Sequence, residues 1–209
     1  MPSDCGWYKT IAGNADLEQG DLLRKCPVIV PLDTIKQPQE ATNYPKSKSE
    51  KSKAPRKAVQ EVDAKVIEYN VIILTQSCDI LKSSTKHLLV CKYRNLGEMQ
   101  ADSEYFRKNE RLEDIRRGYN HKYHFLNKCM QSGVKDKFKT TDYLVLNFSQ
   151  VFSIPKEYAI QHAENCGERL RLISPYKERM SQAFAKYYMR VALDNDEDIS
   201  AFTEREEDD

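Results

Sequence analysis

Long apolar runs are missing from this sequence. The longest, Val71-Ile72-Ile73-Leu74, falls far short of the roughly 18 to 20 consecutive apolar residues that a membrane-spanning helix needs, so no membrane partner is expected. Met1-Pro2-Ser3-Asp4-Cys5 leads into no apolar secretory segment, and a cytoplasmic protein is the expectation. Cysteines at metal-knuckle spacing are also missing: Cys5, Cys26, Cys78, Cys91, Cys129 and Cys166 lie much further apart than the about two to four residues such a site uses. They read as reduced thiols, most of them small buried hydrophobes. Glycine is scarce, with 7 residues and no Gly-rich phosphate loop. There is no Walker sequence, no Gly-x-Ser-x-Gly and no His-Glu-x-x-His, which sets aside nucleotide hydrolysis and zinc peptidase chemistry. No cofactor and no resident metal are expected, and no internal repeat is visible.

What the chain does have is charge, unevenly placed. It is 209 residues long with 31% charged and 40% apolar residues, enough for one α+β domain over 1–193 with polar segments set outside its core. Residues 194–209 form an acidic tail in which Arg205 stands alone against Asp194, Asp196, Glu197, Asp198, Glu204, Glu206, Glu207, Asp208 and Asp209. Taking that tail's −8 from the overall +1 leaves the first 193 residues at about +9. A basic body suggests a polyanion-facing surface, with the tail as a competitor for it or simply as a solubilising appendage. A second polar stretch, about 36–62, mixes Lys46, Lys48, Lys51 and Lys53 with Pro45, Pro55 and serines. Such a composition cannot bury enough apolar area to offset its ordering, so a basic loop is expected there, suited to phosphates or merely solvated.

The remaining segments carry structural periodicity. Leu17 to Leu23 and Val28 to Val30 predict short strands around a Gly20-Asp21 turn, the second confined to about four residues by Pro27 and Pro31. Val71 to Leu74 predicts a strand buried on both faces, and His87 to Tyr93 the next strand, either its hairpin partner or a neighbour in the same sheet. Spacings of three, four and seven among Phe106, Leu112, Ile115 and Tyr119 predict a helical insertion over about 102–130, with Ser103 as N-cap and Gly118 as a break. Tyr143 to Ile154 supplies strand residues, and Arg169-Leu170-Arg171-Leu172 alternates as a strand with one exposed face, or a short helix, would. An amphipathic helix from Pro175 to about Leu193 closes the body, with Ser174 as its cap.

Three groups carry candidate chemistry. Thr75-Gln76-Ser77-Cys78-Asp79 follows a buried strand, where a rigid sheet presents polar side chains; Cys78 is a candidate nucleophile and Asp79 a candidate general base, or else Cys78 is buried and Asp79 closes a turn. His121 and His124 with Cys129 would share a face only on a helix, and a fourth metal ligand would have to come from elsewhere. Arg169, Arg171, Lys177, Arg179, Lys186 and Arg190 would cradle phosphate, or pair with acids such as Glu168 and Glu178 on a charged outer face.

Gln19-Gly20-Asp21-Leu22-Leu23, Val71 to Ser77, and Val145-Leu146-Asn147-Phe148 before a terminal helix resemble segments of the MazF/PemK-type toxins, SH3-like barrels that act as ribonucleases in toxin–antitoxin pairs. These segments cover about a quarter of the chain. Tyr69-Asn70 stands where that family has its catalytic arginine, and no Pro-Ile-Thr segment follows Arg94. The resemblance implies a small curved antiparallel sheet or SH3-like partly open barrel, and a homodimer. The function expected is therefore nucleic-acid binding of toxin–antitoxin or anti-phage defence type, with Lys46, Lys48, Lys51, Lys53, Gln76, Arg169, Arg171 and Arg179 as contacts. Metal-independent cleavage would use Asp79 as base and Arg169 or Arg171 as the cation. The competing expectation is a non-enzymatic adaptor that docks a protein partner; a thiol enzyme centred on Cys78 is a third.

Overall fold

In the computed structural model, which describes residues 6–31, 64–129 and 142–189, the apolar run lies inside a five-stranded antiparallel sheet ordered β2-β3-β4-β6-β5. Its strands are β2 (Leu22–Pro31), β3 (Ala64–Ile73), β4 (His87–Asn95), β5 (Tyr123–Leu126) and β6 (Leu144–Pro155). A second sheet pairs β1 (Tyr8–Ile11) with β7 (Arg169–Leu172), also antiparallel. The helices are α1 (Ser77–Ile80), α2 (Leu96–Asp102), α3 (Asn109–Arg117), α4 (Lys156–Cys166) and α5 (Tyr176–Tyr188), with a 3-10 turn at Glu104–Arg107. The protein is α+β, and among the described residues no barrel closes, because β2 and β5 remain sheet edges. No described helix is long and apolar enough to cross a membrane. The loop lysines Lys46, Lys48, Lys51 and Lys53 and the acidic tail lie outside the described residues.

Period-two alternation explains why four consecutive apolar residues are needed after Asn70. Val71 and Ile73 point to a layer with Leu23, Val28, Val90 and Ile154, covered by Ala159 and Ala163 of α4. Ile72 and Leu74 point the other way, into a layer with Leu146, Phe148, Leu170, Leu172 and Met180 of α5. Small residues at 159 and 163 let α4 lie close to the sheet. That helix was not expected from the sequence, although Tyr158, Ala159, His162, Ala163 and Cys166 follow spacings of three and four. A third cluster, Met99, Phe106, Ile115 and Val145, seats the helical insertion on the sheet.

Several expectations are corrected in detail. Strand β2 runs through Pro27 for 10 residues, which an edge strand permits because the proline lacks only a ladder hydrogen bond. Its register breaks between Leu23 and Cys26, with Lys25 at φ 47°. The insertion is not one helical span over 102–130: it begins at Leu96, and Tyr123–Leu126 is a strand paired with β6. Ser103 caps the 3-10 turn through Tyr105 N–H, and Gly118 ends α3 in the left-handed region, both as expected. Helix α5 starts at Tyr176, one residue after Pro175. Cys26 and Cys91 are buried thiols, whereas Cys129 is disulfide-bonded rather than reduced.

Candidate functional site

Gly20 joins the two sheets. Its N–H donates to Ile73 O at 2.9 Å and its carbonyl accepts from Leu172 N–H at 2.9 Å, at φ 88°, where a Cβ would meet Leu172 Cβ at 3.0 Å. Asp21 follows and is fully buried. Arg169 Nε donates to its carboxylate at 2.8 Å and Arg171 Nη2 at 2.9 Å, with Arg171 Nε on the second oxygen. The other Arg169 nitrogens donate to the carbonyls of Ala12, Gly13, Ala15 and Asp16. Those of Arg171 reach Glu18 and the Asp16 carbonyl. The expected exposed arginine stripe is thereby corrected: all four residues of β7 are buried, and both guanidinium groups face an interior carboxylate. Alternation shows that two faces differ but not that a carboxylate distant in sequence will make burial of the charged face tolerable.

The Thr75–Asp79 segment packs beside this cluster without joining it. Gln19 N–H donates to Ser77 Oγ at 3.2 Å and Gln19 Nε2 to Leu74 O at 2.7 Å, so the two loops are neighbours. Thr75 Oγ1 accepts from Leu89 N–H, which leaves it a structural group. Asp79, half-exposed, pairs with Lys82 at 2.5 Å. Among the described residues it has no bond to Arg169 or Arg171, so the expected base and cation are not brought together. Cys78 is exposed rather than buried, its Sγ 3.7 Å from Gln76 Oε1 and in contact with no described imidazole.

The histidine group is likewise dispersed. His124 lies on β5, not on a helix, and its separation of three from His121 therefore breaks a shared face. No set of three potential metal ligands occurs among the described residues. His162 sits on α4 with Cys166 Sγ at 3.4 Å, and its Nε2 is 2.9 Å from the Arg24 carbonyl. A carbonyl at that distance calls for a protonated Nε2, so this nitrogen is not a base toward the thiol. Burial pushes the Cys26 thiol up to about 11 and that of Cys91 up to about 12, which keeps both in the unreactive protonated form.

One concavity gathers residues from four elements, α2, α3, β5 and α5, and from the segments that flank β1, β5 and β6. It has a volume of about 680 Å³ and is lined by Trp7, Leu112, Ile115, His124, Phe125 and Tyr143, with Leu96, Asn109, Glu113, Arg116, Asn127 and Arg179. Tyr8 Oη donates to Asn127 O at 2.7 Å and ties the wall to β1. Trp7 stacks on Tyr176 with centroids 3.9 Å apart and planes at 11°. Arg179 lies over the Tyr176 ring at 5.7 Å, and Lys128 over Tyr143 at 6.0 Å. Glu113, the carboxylate of the lining, bonds both Arg116 and Arg117 at 2.6 Å, and these guanidinium groups hold its carboxyl down at about 2. The lining thus combines aromatic rings with the exposed Arg116 and Arg179, and Ile115 is buried within it.

His124 Nε2 is closed to solvent and has no hydrogen-bond partner among the described residues. Burial pushes this imidazole down from its ordinary 6.5 to about 4, so it is neutral at pH 7. The unfolded chain then binds a proton between pH 6.5 and about 4 that the folded chain refuses, and stability falls as pH drops through that window. The urea midpoint is expected to decline between pH 6.5 and 4.5 more steeply in the natural chain than in a His124→Phe variant. Parallel profiles for the two proteins would contradict this.

Sequence reasoning singled out Arg179 and His124 from this site but missed Trp7, Leu112, Asn127 and Tyr176 as its companions. The one available signal was that Trp7 is the chain's only tryptophan. No protein-family model, curated protein or solved structure matches this chain.

Proposed function

We propose that this protein binds single-stranded nucleic acid at the aromatic and cationic mouth formed by Trp7, Tyr176, Arg179, Tyr143 and Lys128. The observation that carries this reading is the pairing of two exposed cations with rings: Arg179 over Tyr176, itself stacked on Trp7, and Lys128 over Tyr143. Bases stack on such rings without strong sequence preference, while the cations take phosphates. A duplex buries its base faces and would engage only the charges. The toxin resemblance supports a setting of toxin–antitoxin or anti-phage type, but the reading does not include cleavage, because Asp79 and Arg171 have other partners.

Fluorescence anisotropy with a labelled single-stranded RNA and a duplex DNA, each at 50 and 200 mM salt, tests this. The single strand is expected to bind more tightly, and both should weaken as salt rises. Arg179→Ala and Lys128→Ala should each reduce the logarithmic salt slope by about one. Binding indifferent to salt, or a duplex preferred over the single strand, would overturn the reading.

One observation favours the adaptor alternative. Ile29 and Val66, directly opposed across the β2–β3 pair, are 69% and 70% exposed, an apolar pair on an edge of the sheet where a protein partner would be held without salt sensitivity.

A further inference from the structure

The surface that pairs rings with cations has a chemical counterpart in this same chain. Beside the concavity, the exposed Arg179 covers Tyr176, which stacks on Trp7, and the exposed Lys128 covers Tyr143. Neighbouring cations are neutralised, Arg116 and Arg117 by Glu113 and Lys177 by Glu18. Among the described residues, neither Arg179 nor Lys128 faces a carboxylate. The sequence beyond α5 has the opposite pairing, one ring among acids. Phe202 is the only aromatic residue of 194–209, with Asp194, Asp196, Glu197 and Asp198 before it and Glu204, Glu206 and Glu207 after it.

Chain length permits the two to meet. Helix α5 ends at Tyr188, and Arg179 lies on the same helix, about 13 Å back along its axis at 1.5 Å per residue. Phe202 follows Tyr188 by 14 positions, a stretch that spans up to about 50 Å when extended. Tethering also selects the occupant. A separate acidic protein, or a second copy of this chain, would have to be present at about millimolar concentration to match a segment joined to the site by a short connection. Exposed ion pairs are individually weak and screened by salt, so such a contact yields to a strand that brings several phosphates.

We propose that residues 194–209 dock on the surface formed by Trp7, Tyr176, Arg179, Tyr143 and Lys128 and there compete with single-stranded nucleic acid. Phe202 lies against the rings, and the carboxylates on either side of it face Arg179 and Lys128. The competition rests on the strand-binding reading above, whereas the docking is read without any nucleic acid and stands or falls separately.

The full chain is its own reporter, since Trp7 is the sole tryptophan and belongs to the docking surface. Its quenching by the uncharged reagent acrylamide is measured without nucleic acid at 50 and 500 mM salt. At the lower salt, quenching is expected to increase in Phe202→Ala, which keeps the net charge, and in a chain with Asp194, Asp196, Glu197 and Asp198 changed to amides. The natural chain should match both variants at the higher salt, where exposed charges are screened. With about nine molecules in ten docked, strand affinity is lowered about tenfold, so Phe202→Ala is expected to bind an eight-nucleotide oligoadenylate RNA about tenfold more tightly than the natural chain at 50 mM salt. Equal quenching in the natural chain and both variants would overturn the docking and leave strand binding in place. An effect of Phe202→Ala that persists undiminished in an Arg179→Ala background would put the tail elsewhere and overturn it too. Quenching that depends on protein concentration would assign the tail to a second copy, against the contact within one chain. Docking without RNA binding by either protein would overturn the competition together with the strand-binding reading.

Discussion

Asp21→Ala is expected to lower the unfolding free energy by about 3–5 kcal/mol, the usual cost of removing one partner from a buried ion pair. Asp21 is inaccessible to solvent, and it is the shared counter-charge of two guanidinium groups that are themselves 3% and 5% exposed. Without it, Arg169 keeps four carbonyl acceptors but no carboxylate, and Arg171 keeps only the half-exposed Glu18 and one carbonyl. The loss reaches beyond electrostatics, because the Asp21–Arg171 bridge and the Gly20 bonds join the five-stranded sheet to the β1–β7 sheet. Arg171→Lys is expected to be nearly as damaging, since an ammonium cannot span both carboxylate oxygens and the Asp16 carbonyl as the forked guanidinium does. The exposed Asp79–Lys82 pair is the control: Lys82→Ala should leave the urea midpoint unchanged. Urea unfolding at pH 7 measures all three, and a change below about 1 kcal/mol for Asp21→Ala would show that the cluster is not the joint between the sheets.

Phe148→Ala should cost about 3–5 kcal/mol through lost burial and the cavity left behind. Its side chain is fully buried on β6, and three rings meet it: His124 at 6.1 Å, Phe184 at 5.5 Å and Tyr187 at 6.2 Å between centroids. Two of these belong to α5, so this one residue seats the terminal helix on the sheet and backs the imidazole of the candidate pocket. Amide hydrogen exchange across α5 should accelerate in the variant well before global unfolding, and Arg179, on the same helix, should lose its fixed position at the mouth. Thermal denaturation with unchanged exchange in α5 would place the helix's anchorage elsewhere, at Met180 or Tyr187.

The α+β class, the buried β3 strand, its pairing with β4, the Ser103 cap and the Gly118 stop were legible because each depends on residues close in sequence. Alternation, helical spacing and turn chemistry are local properties, and the chain reports them directly. The amphipathic α5 was legible for the same reason, down to Met180 and Phe184 on its inner face. Edges were less so: Pro27 stops a strand only if its missing N–H faces a neighbour, and whether β2 has a neighbour on that side is decided by the sheet.

The site was hidden for a different reason. Its walls come from the segment before β1, from α3, β5 and α5, and no spacing rule connects Trp7 to His124 or Tyr176. The fate of Arg169 and Arg171 turned on Asp21, nearly 150 positions away in the chain. By itself the sequence determined which residues alternate, which turn and where charge collects. Only the tertiary structure decided which charges are interior and which rings share a cavity, because burial and electrostatic pairing depend on distance in space, and strands brought together from opposite ends of the chain set those distances.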